Sequence, residues 1–510
     1  MAHPETGPGC CSAACGACSV THVSRRGFLG AGAAAGIAAR AYAAQGGGID
    51  PVRQRPIQLP LRVQPVFIHE LKQRKQATSW RWSAEIYTEE VAEEERARIR
   101  QDCAALAREA GFPLEILPLV TVHDTAQAAK VAAGDYDALV MYAAGRQPAV
   151  MAAMARPDRW NIIFVRHKSG PIYYMYIGVH GHFFRKTGDE FAQPGMDVDD
   201  VVVDSRAELL WRLRALGGLK NAMGKRIVCI GDAGGWGSGG EGAPRRARDL
   251  WKFDLVNVPY PDLEARIRRA SADATVVKRS RDAAAQYLRE GVSVETSPDF
   301  VNNAFLLTEV FRDLLDEHKT DAITVRNCMS AIMPISQTTA CLPLSILNDE
   351  GYLAFCESDF VSIPAGVLLK HIAGTPVFLC NASFPANGVV TVSHCTAPRR
   401  MDGRNRERMR LLTHYESDYG AAPKVEMRKG QVVTVLDADF AGRRWLGFSG
   451  EITDTPFFPI CRTQLEIGLK GDTTRLAREL RGWHWIVGYG DRVRETGYAL
   501  RKAGIGWLAV

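Results

Sequence analysis

From residue 61 onward, short apolar runs alternate with longer stretches whose apolar positions recur every three or four residues, the pattern of strands interleaved with helices. Val63–Ile68 reads as a strand and Glu85–Ala110 as a long, charged helix. Ile116–Val120, Ala138–Tyr142 and Ile162–Val165 read as buried parallel strands, the first weakened by Pro118, since proline favours an edge. The aromatic-rich Tyr173–Phe184 is strand-like, and Ser205–Leu216 is a helix opened by an Asp204/Ser205 cap.

A second unit starts at Lys225. The strand Arg226–Ile230 runs into Gly231–Gly240, a glycine-rich stretch that matches neither the dinucleotide fingerprint nor a phosphate loop ending Gly-Lys-Ser/Thr. It reads as a flexible strand–helix loop near a cleft. Helices follow at Leu263–Ala272, Arg281–Glu290 and Asn303–His318, then a strand at Ala322–Val325. Past residue 327 the pattern becomes β-rich, with strands at Gln431–Leu436, Trp445–Phe448 and Gln464–Leu469, a helix at Asp491–Lys502 and a last strand at Gly506–Val510. The expected fold is α/β: two doubly wound parallel-sheet domains at 61–220 and 221–326, then a C-terminal domain at 327–510 combining α/β with a small antiparallel β-barrel.

A chain of 510 residues is too long for one ordinary core, which agrees with three domains. Its 46% hydrophobic and 24% charged residues are those of a soluble globular protein. The net charge of +6 is small and spread along the chain, so no nucleic-acid partner is expected.

Ahead of the folded part, Ser24-Arg25-Arg26-Gly27-Phe28-Leu29 has the form of a twin-arginine export signal. The apolar stretch after it is too short for a permanent membrane span, and Ala41-Tyr42-Ala43 offers a small-x-small cleavage site. Residues 1–44 are therefore expected to be a signal peptide and 45–60 a linker. The twin-arginine translocase is the expected partner, and the destination is the periplasm or another exported location, without stable membrane insertion. Four of the twelve cysteines, Cys10, Cys11, Cys15 and Cys18, crowd the region upstream of the signal and are expected to leave with it. The six in the C-terminal half, several inside apolar runs, read as buried free thiols, with disulfides open in an oxidising compartment.

Candidate chemistry gathers late in the chain. The run Ala354-Phe355-Cys356-Glu357-Ser358-Asp359 is an apolar strand ending in two acids, followed by the apolar helix Val361–Ile372. In open α/β sheets ligands bind beyond the carboxyl ends of strands, which puts Glu357 at a cleft. Pro376–Cys380 delivers Asn381 to the same edge, Val389–Val392 leads to His394, and Gly482-Trp483-His484 places another imidazole on a β-type run. Carboxylate, amide and two imidazoles suit a divalent ion of the Mn²⁺ class. The same residues also fit plain structural roles: Glu357 and Asp359 as helix caps, His394 and His484 as core residues, Asn381 as a turn residue.

The order Cys-Glu-Ser-Asp, helix, strand, Asn381, strand, His394-Cys395, then His484 ahead of a Gly-Asp pair, resembles the L-fucose isomerase and L-arabinose isomerase superfamily. The match is best over Ala322–Pro398 and Cys461–Ala503. The resemblance implies aldose–ketose interconversion through a metal-stabilised enediol. Glu357 would be metal ligand and proton-transfer base, and His394 and His484 would be metal histidines. Asp359 would orient Glu357 or bind sugar hydroxyls. It also implies a homo-oligomer, trimer or hexamer, acting on a small sugar. Asn381 stands where the family has its second acid and cannot shuttle protons. A non-catalytic sugar-binding protein, an epimerase or a lyase therefore stays open.

His180 and His182 would share one face of the Tyr173–Phe184 strand, as sugar contacts, subunit interface or a second metal site. The arginine-rich stretch from Arg399 to Arg410 reads as a solvated loop, or as a contact for an acidic sugar or phosphate. A Gly-x-Ser-x-Gly nucleophile elbow with sensible partners is absent, so serine hydrolysis has no support.

Overall fold

The computed structural model describes residues 58–184, 193–469 and 471–510. Arg25, Arg26, the rest of the expected signal and most of the linker lie outside these residues. The fold is mixed α/β, with two parallel sheets and a closed six-stranded antiparallel barrel in the C-terminal region.

The first sheet comprises β1 (Leu61–Ile68), β2 (Leu114–Ile116), β3 (Val120–Val122), β4 (Ala138–Ala143), β5 (Trp160–Val165) and β6 (Val201–Val203), in the order β2-β1-β4-β5-β6. The start of β1 pairs with β2 and its end with β3. The single strand expected over Ile116–Val120 is thus split, because Pro118 has no N–H to give the ladder. All six residues of β4 are buried, as a strand covered on both faces requires.

Tyr173–Phe184 is helical instead of extended. The helix Met175–Val179 runs into a π-turn at His180–Phe184, and Met175, Val179 and Phe183, four residues apart, bury one side. That spacing is helical, and it overrides the β-preference of the aromatics. His180 is exposed, and the expected strand face shared with His182 does not exist.

The second sheet has the order β11-β10-β7-β8, with β7 (Arg226–Ile230), β8 (Asp254–Val258), β10 (Ala322–Val325) and β11 (Leu353–Phe355), all parallel. A small third sheet joins β9 (Val292–Val294) to β14 (Arg408–Leu412) and β15 (Ala422–Glu426). It holds down the arginine stretch. Arg399 is buried with its guanidinium on the carbonyls of Glu407 and Glu290, while Arg406 and Arg410 pair with Glu290 and Glu295. These arginines are structural anchors, where a solvated loop was the first expectation.

The barrel runs β16 (Val432–Asp437), β19 (His484–Tyr489), β12 (Val377–Ala382), β13 (Val389–His394), β18 (Thr463–Leu469) and β17 (Arg444–Asp454), and closes through β17–β16 pairing. The last strand, β20 (Gly506–Ala509), adds to β17 in parallel. Alternate residues of β12 and β19 divide between two cores. Phe378, Cys380, Trp485 and Val487 join the barrel cluster, whereas Val377, Leu379 and Ile486 join the cluster that also holds the first sheet. The helix Ile363–Ala373 lies in that second cluster, apolar on nearly every side, and ten of its residues are buried. Each buried Leu or Ile there contributes about 1.5–3 kcal/mol. It packs closely on the helix Arg206–Ala222, where a Cβ at Gly218 would come within 2.3 Å of Ile372. Asn381 therefore sits in an antiparallel barrel strand, not in the parallel sheet that ends at Glu357. The candidate residues meet where the second sheet's carboxyl edge abuts the barrel.

Candidate metal centre

At the carboxyl end of β11, Glu357 and Ser358 both have left-handed backbones, with φ of 63° and 51°. Each costs on the order of 1 kcal/mol for a residue with a Cβ, so neighbouring contacts must hold the turn. The glycine-rich loop does so. Ser358 Oγ donates to the Asp232 carbonyl at 2.9 Å, Gly234 N–H donates to the Ser358 carbonyl at 3.2 Å, and Phe360 N–H donates to the Gly234 carbonyl at 3.0 Å. Gly231, the first residue of that loop, combines a φ of 75° with a Cβ position already occupied by the Tyr260 hydroxyl. The loop expected to be flexible is a bonded support for the site.

The turn aims Glu357 at two histidines of the barrel. Its Oε2 lies 3.2 Å from His484 Nε2 and its Oε1 lies 3.5 Å from His394 Nε2. The two imidazoles stand edge to face with centroids 6.0 Å apart. His484 is fully buried and its Nδ1 is 2.8 Å from Asp359 Oδ2. Asp359 Oδ1 in turn accepts from the N–H groups of Val361 at 3.1 Å and Trp236 at 3.3 Å. Asp359 is thus enclosed and committed to His484, with no face for sugar hydroxyls. His394 has Nδ1 3.3 Å from Thr396 Oγ1. Apart from these mutual contacts, three buried atoms, Glu357 Oε2, His394 Nε2 and His484 Nε2, have no hydrogen-bond partner.

Electrostatics match this geometry. Burial by itself pushes Glu357 up, but the facing imidazoles of His394 and His484 hold its carboxyl well below the usual range. Burial opposes the charge on His484, yet Asp359 and Glu357 lift it to about 9. In this state the proton of His484 stands where a cation would.

Cys356 adds a ligand that the sequence pattern disguised as one more apolar strand residue. Its sulfur forms a compact group with Glu357 and His394, their ligand atoms all within 4.8 Å, and this buried group is able to hold a metal ion. Burial and the Glu357 charge push the thiol well above its ordinary value. Asn381 is half-buried and lies directly opposite His484 in the β12–β19 ladder, and opposite Ser393 on the other side. Opposed residues in such a ladder share a face, with Cβ atoms about 5 Å apart.

Sequence reasoning also missed three neighbours. Trp236 and Trp483 stack at 5.6 Å while 43% and 55% exposed, and the Trp236 ring meets His484 edge-on. His414, its Nδ1 3.1 Å from Ser417 Oγ, is lowered by burial and lies close enough to feel the charges of His394 and Glu357. Only the two tryptophans carried a signal, through their places in the glycine-rich loop and beside His484.

No family model matches the chain, and no curated protein matches it.

Proposed function

We propose that the chain is a divalent-metal-dependent enzyme of the carbohydrate isomerase kind, acting on a small polyhydroxy carbonyl compound. The observation that carries this reading is the convergence of Glu357 Oε2, His394 Nε2 and His484 Nε2, all buried, facing one another across 3.2 and 3.5 Å ion-pair contacts and otherwise without a hydrogen bond. Such atoms are costly unless a ligand satisfies them, and a carboxylate with two imidazoles fits a divalent cation. Glu357, His394 and His484 would hold the ion, with Cys356 beside them and Asn381 on the face of His484. Bound there, a divalent ion supplies a Lewis acid that polarises a carbonyl.

The chain's own groups have separate tasks. Asp359 accepts the hydrogen bond from Nδ1–H of His484 and so keeps Nε2 as the lone-pair nitrogen. Glu357, ionised at neutral pH, accepts a proton from the carbon next to the carbonyl. Asn381 binds a hydroxyl but carries no proton, so the proton is returned by Glu357 itself or by His414, whose charge is coupled to Glu357 and His394. Trp236 and Trp483 cover the outer side and offer a ring face to a sugar.

Asn381 also favours a second reading, a sugar-binding protein of the same architecture without turnover. One experiment separates them. The full chain is stripped with chelator, reloaded with Mn²⁺, Co²⁺ or Zn²⁺ and incubated with aldoses in D₂O. Metal-dependent ketose formation with deuterium uptake at C1 of the ketose supports the isomerase. Saturable binding without exchange supports the binding protein, and a non-ketose product makes it an epimerase or lyase. We also propose export of the folded chain through the twin-arginine translocase and assembly as a trimer or hexamer, tested by cell fractionation and light scattering.

A further inference from the structure

The eight described cysteines are all free thiols, and three of them gather beside the candidate metal centre. Cys341, Cys395 and the half-buried Cys461 form one cluster with Ala422. The Cys395 thiol is within hydrogen-bonding reach of both Cys341 and Cys461. The arrangement follows from the barrel. His394 pairs with Thr463 in the β13–β18 ladder, so one step further Cys395 faces Arg462, whose N–H points at the Cys395 sulfur at 3.4 Å. Cys461 lies one residue further, in the bend just ahead of β18, and packs against Cys395 there. The three sulfurs form a row with Cys395 in the middle, not a closed ligand triad. Among the described residues the compact metal-binding group is Cys356, Glu357 and His394.

We infer that Cys341, Cys395 and Cys461 form a thiol–disulfide exchange site that reacts with small-molecule disulfides and joins Cys395 to Cys461. Cys461 is the entry point because it alone of the three is partly exposed. Its sulfur attacks a small disulfide RS–SR and forms a mixed disulfide. The S–S bond of the small molecule breaks, and the departing sulfur leaves as RSH with the proton given up by Cys461. Cys395 then attacks the Cys461 sulfur, the protein disulfide forms, and a second RSH leaves with the Cys395 proton. Two protein thiols lose two electrons, and one disulfide becomes two thiols. Cys341, on the inner side, displaces Cys461 from Cys395 in the same manner and returns the outer thiol. Because Cys395 follows His394 directly, the covalent link ties the metal-site histidine to the start of β18.

The test uses the full chain, purified reduced, desalted and incubated with oxidised glutathione. Remaining thiols are alkylated and the digest is mapped by mass spectrometry. The expected result is the loss of two alkylable thiols among Cys341, Cys395 and Cys461, and a peptide pair joined through Cys395 and Cys461. Cys461→Ser should redirect the link to Cys341–Cys395, and Cys395→Ser should leave only a glutathione adduct on Cys461. A wild-type map with all three thiols alkylated, or with a Cys461 adduct and no cross-link, overturns the inference. So does protection of all three by a bound metal ion. If Cys395→Ser fails to fold, the wild-type map decides alone.

Discussion

His484 Nδ1 lies 2.8 Å from Asp359 Oδ2, with both residues fully buried and 125 positions apart in the chain. Asp359 keeps its other oxygen on the N–H groups of Val361 and Trp236, so it cannot turn away from the histidine. Asp359→Asn retains an acceptor for those N–H groups but presents an amide N–H to Nδ1. The proton then moves to Nε2, the nitrogen that faces Glu357. Metal affinity should fall about 10–100-fold while the fold persists, as calorimetric titration and circular dichroism would record. Unchanged affinity would remove Asp359 from the site.

His484 also makes metal binding and stability depend on pH in opposite senses. Its proton is held to about 9 in the folded chain against 6.5 for the free side chain, mainly through Asp359 and Glu357 acting against burial. In the metal-free protein this stabilisation is complete below pH 6.5 and is lost as pH rises through 9. Metal must displace that proton, whereas Glu357 is already ionised. Loading of Mn²⁺ at pH 7.5 should therefore release about one proton per ion, measured by calorimetry in buffers of different ionisation heat. No buffer dependence would count against His484 as a ligand.

Asp437 acts in a lower window. Burial lifts its carboxyl to about 7 even though the N–H groups of Gly482 and Arg481 bond to it at 2.6 and 2.8 Å and favour its charged form. The folded chain holds this proton more tightly than the unfolded one, so a destabilising contribution grows as pH rises from 3.8 towards 7. Asp437→Asn should flatten that part of the melting-temperature profile. Asp437→Ala, which frees the turn ahead of His484, should also weaken metal binding.

Cys356 should decide which ion the site prefers. A thiolate suits Zn²⁺ better than Mn²⁺, and burial makes the thiol hard to ionise without a metal. Cys356→Ser should lower Zn²⁺ affinity by about tenfold and Mn²⁺ affinity by less than about threefold. Equal losses would mean that the sulfur is a packing group.

The strands and most helices were legible because burial on one or both faces imposes period and length. Ala138–Ala143 and Arg226–Ile230 could be read almost to the residue. Glu357 and His484 stood out because a polar side chain at a boundary of an apolar run is unusual. Tyr173–Phe184 was misread since aromatics pack in strands and helices alike, and its four-residue spacing was the better guide. Cys356 was hidden because a buried cysteine looks like any small hydrophobe. Asp359 could be located but not interpreted, since its role depends on a histidine far along the chain.

Local patterning was sufficient for the alternation of strands and helices, the acids at the end of β11 and the β-rich character of the last third. Closure of the barrel against the second sheet was needed to bring His394 and His484 onto Glu357, to enclose Asp359 and to line up three cysteines behind His394. The reason is physical. Helix and strand periodicity reflects contacts a few residues apart, whereas the meeting of distant side chains depends on how whole sheets pack, and that is not written in any one segment.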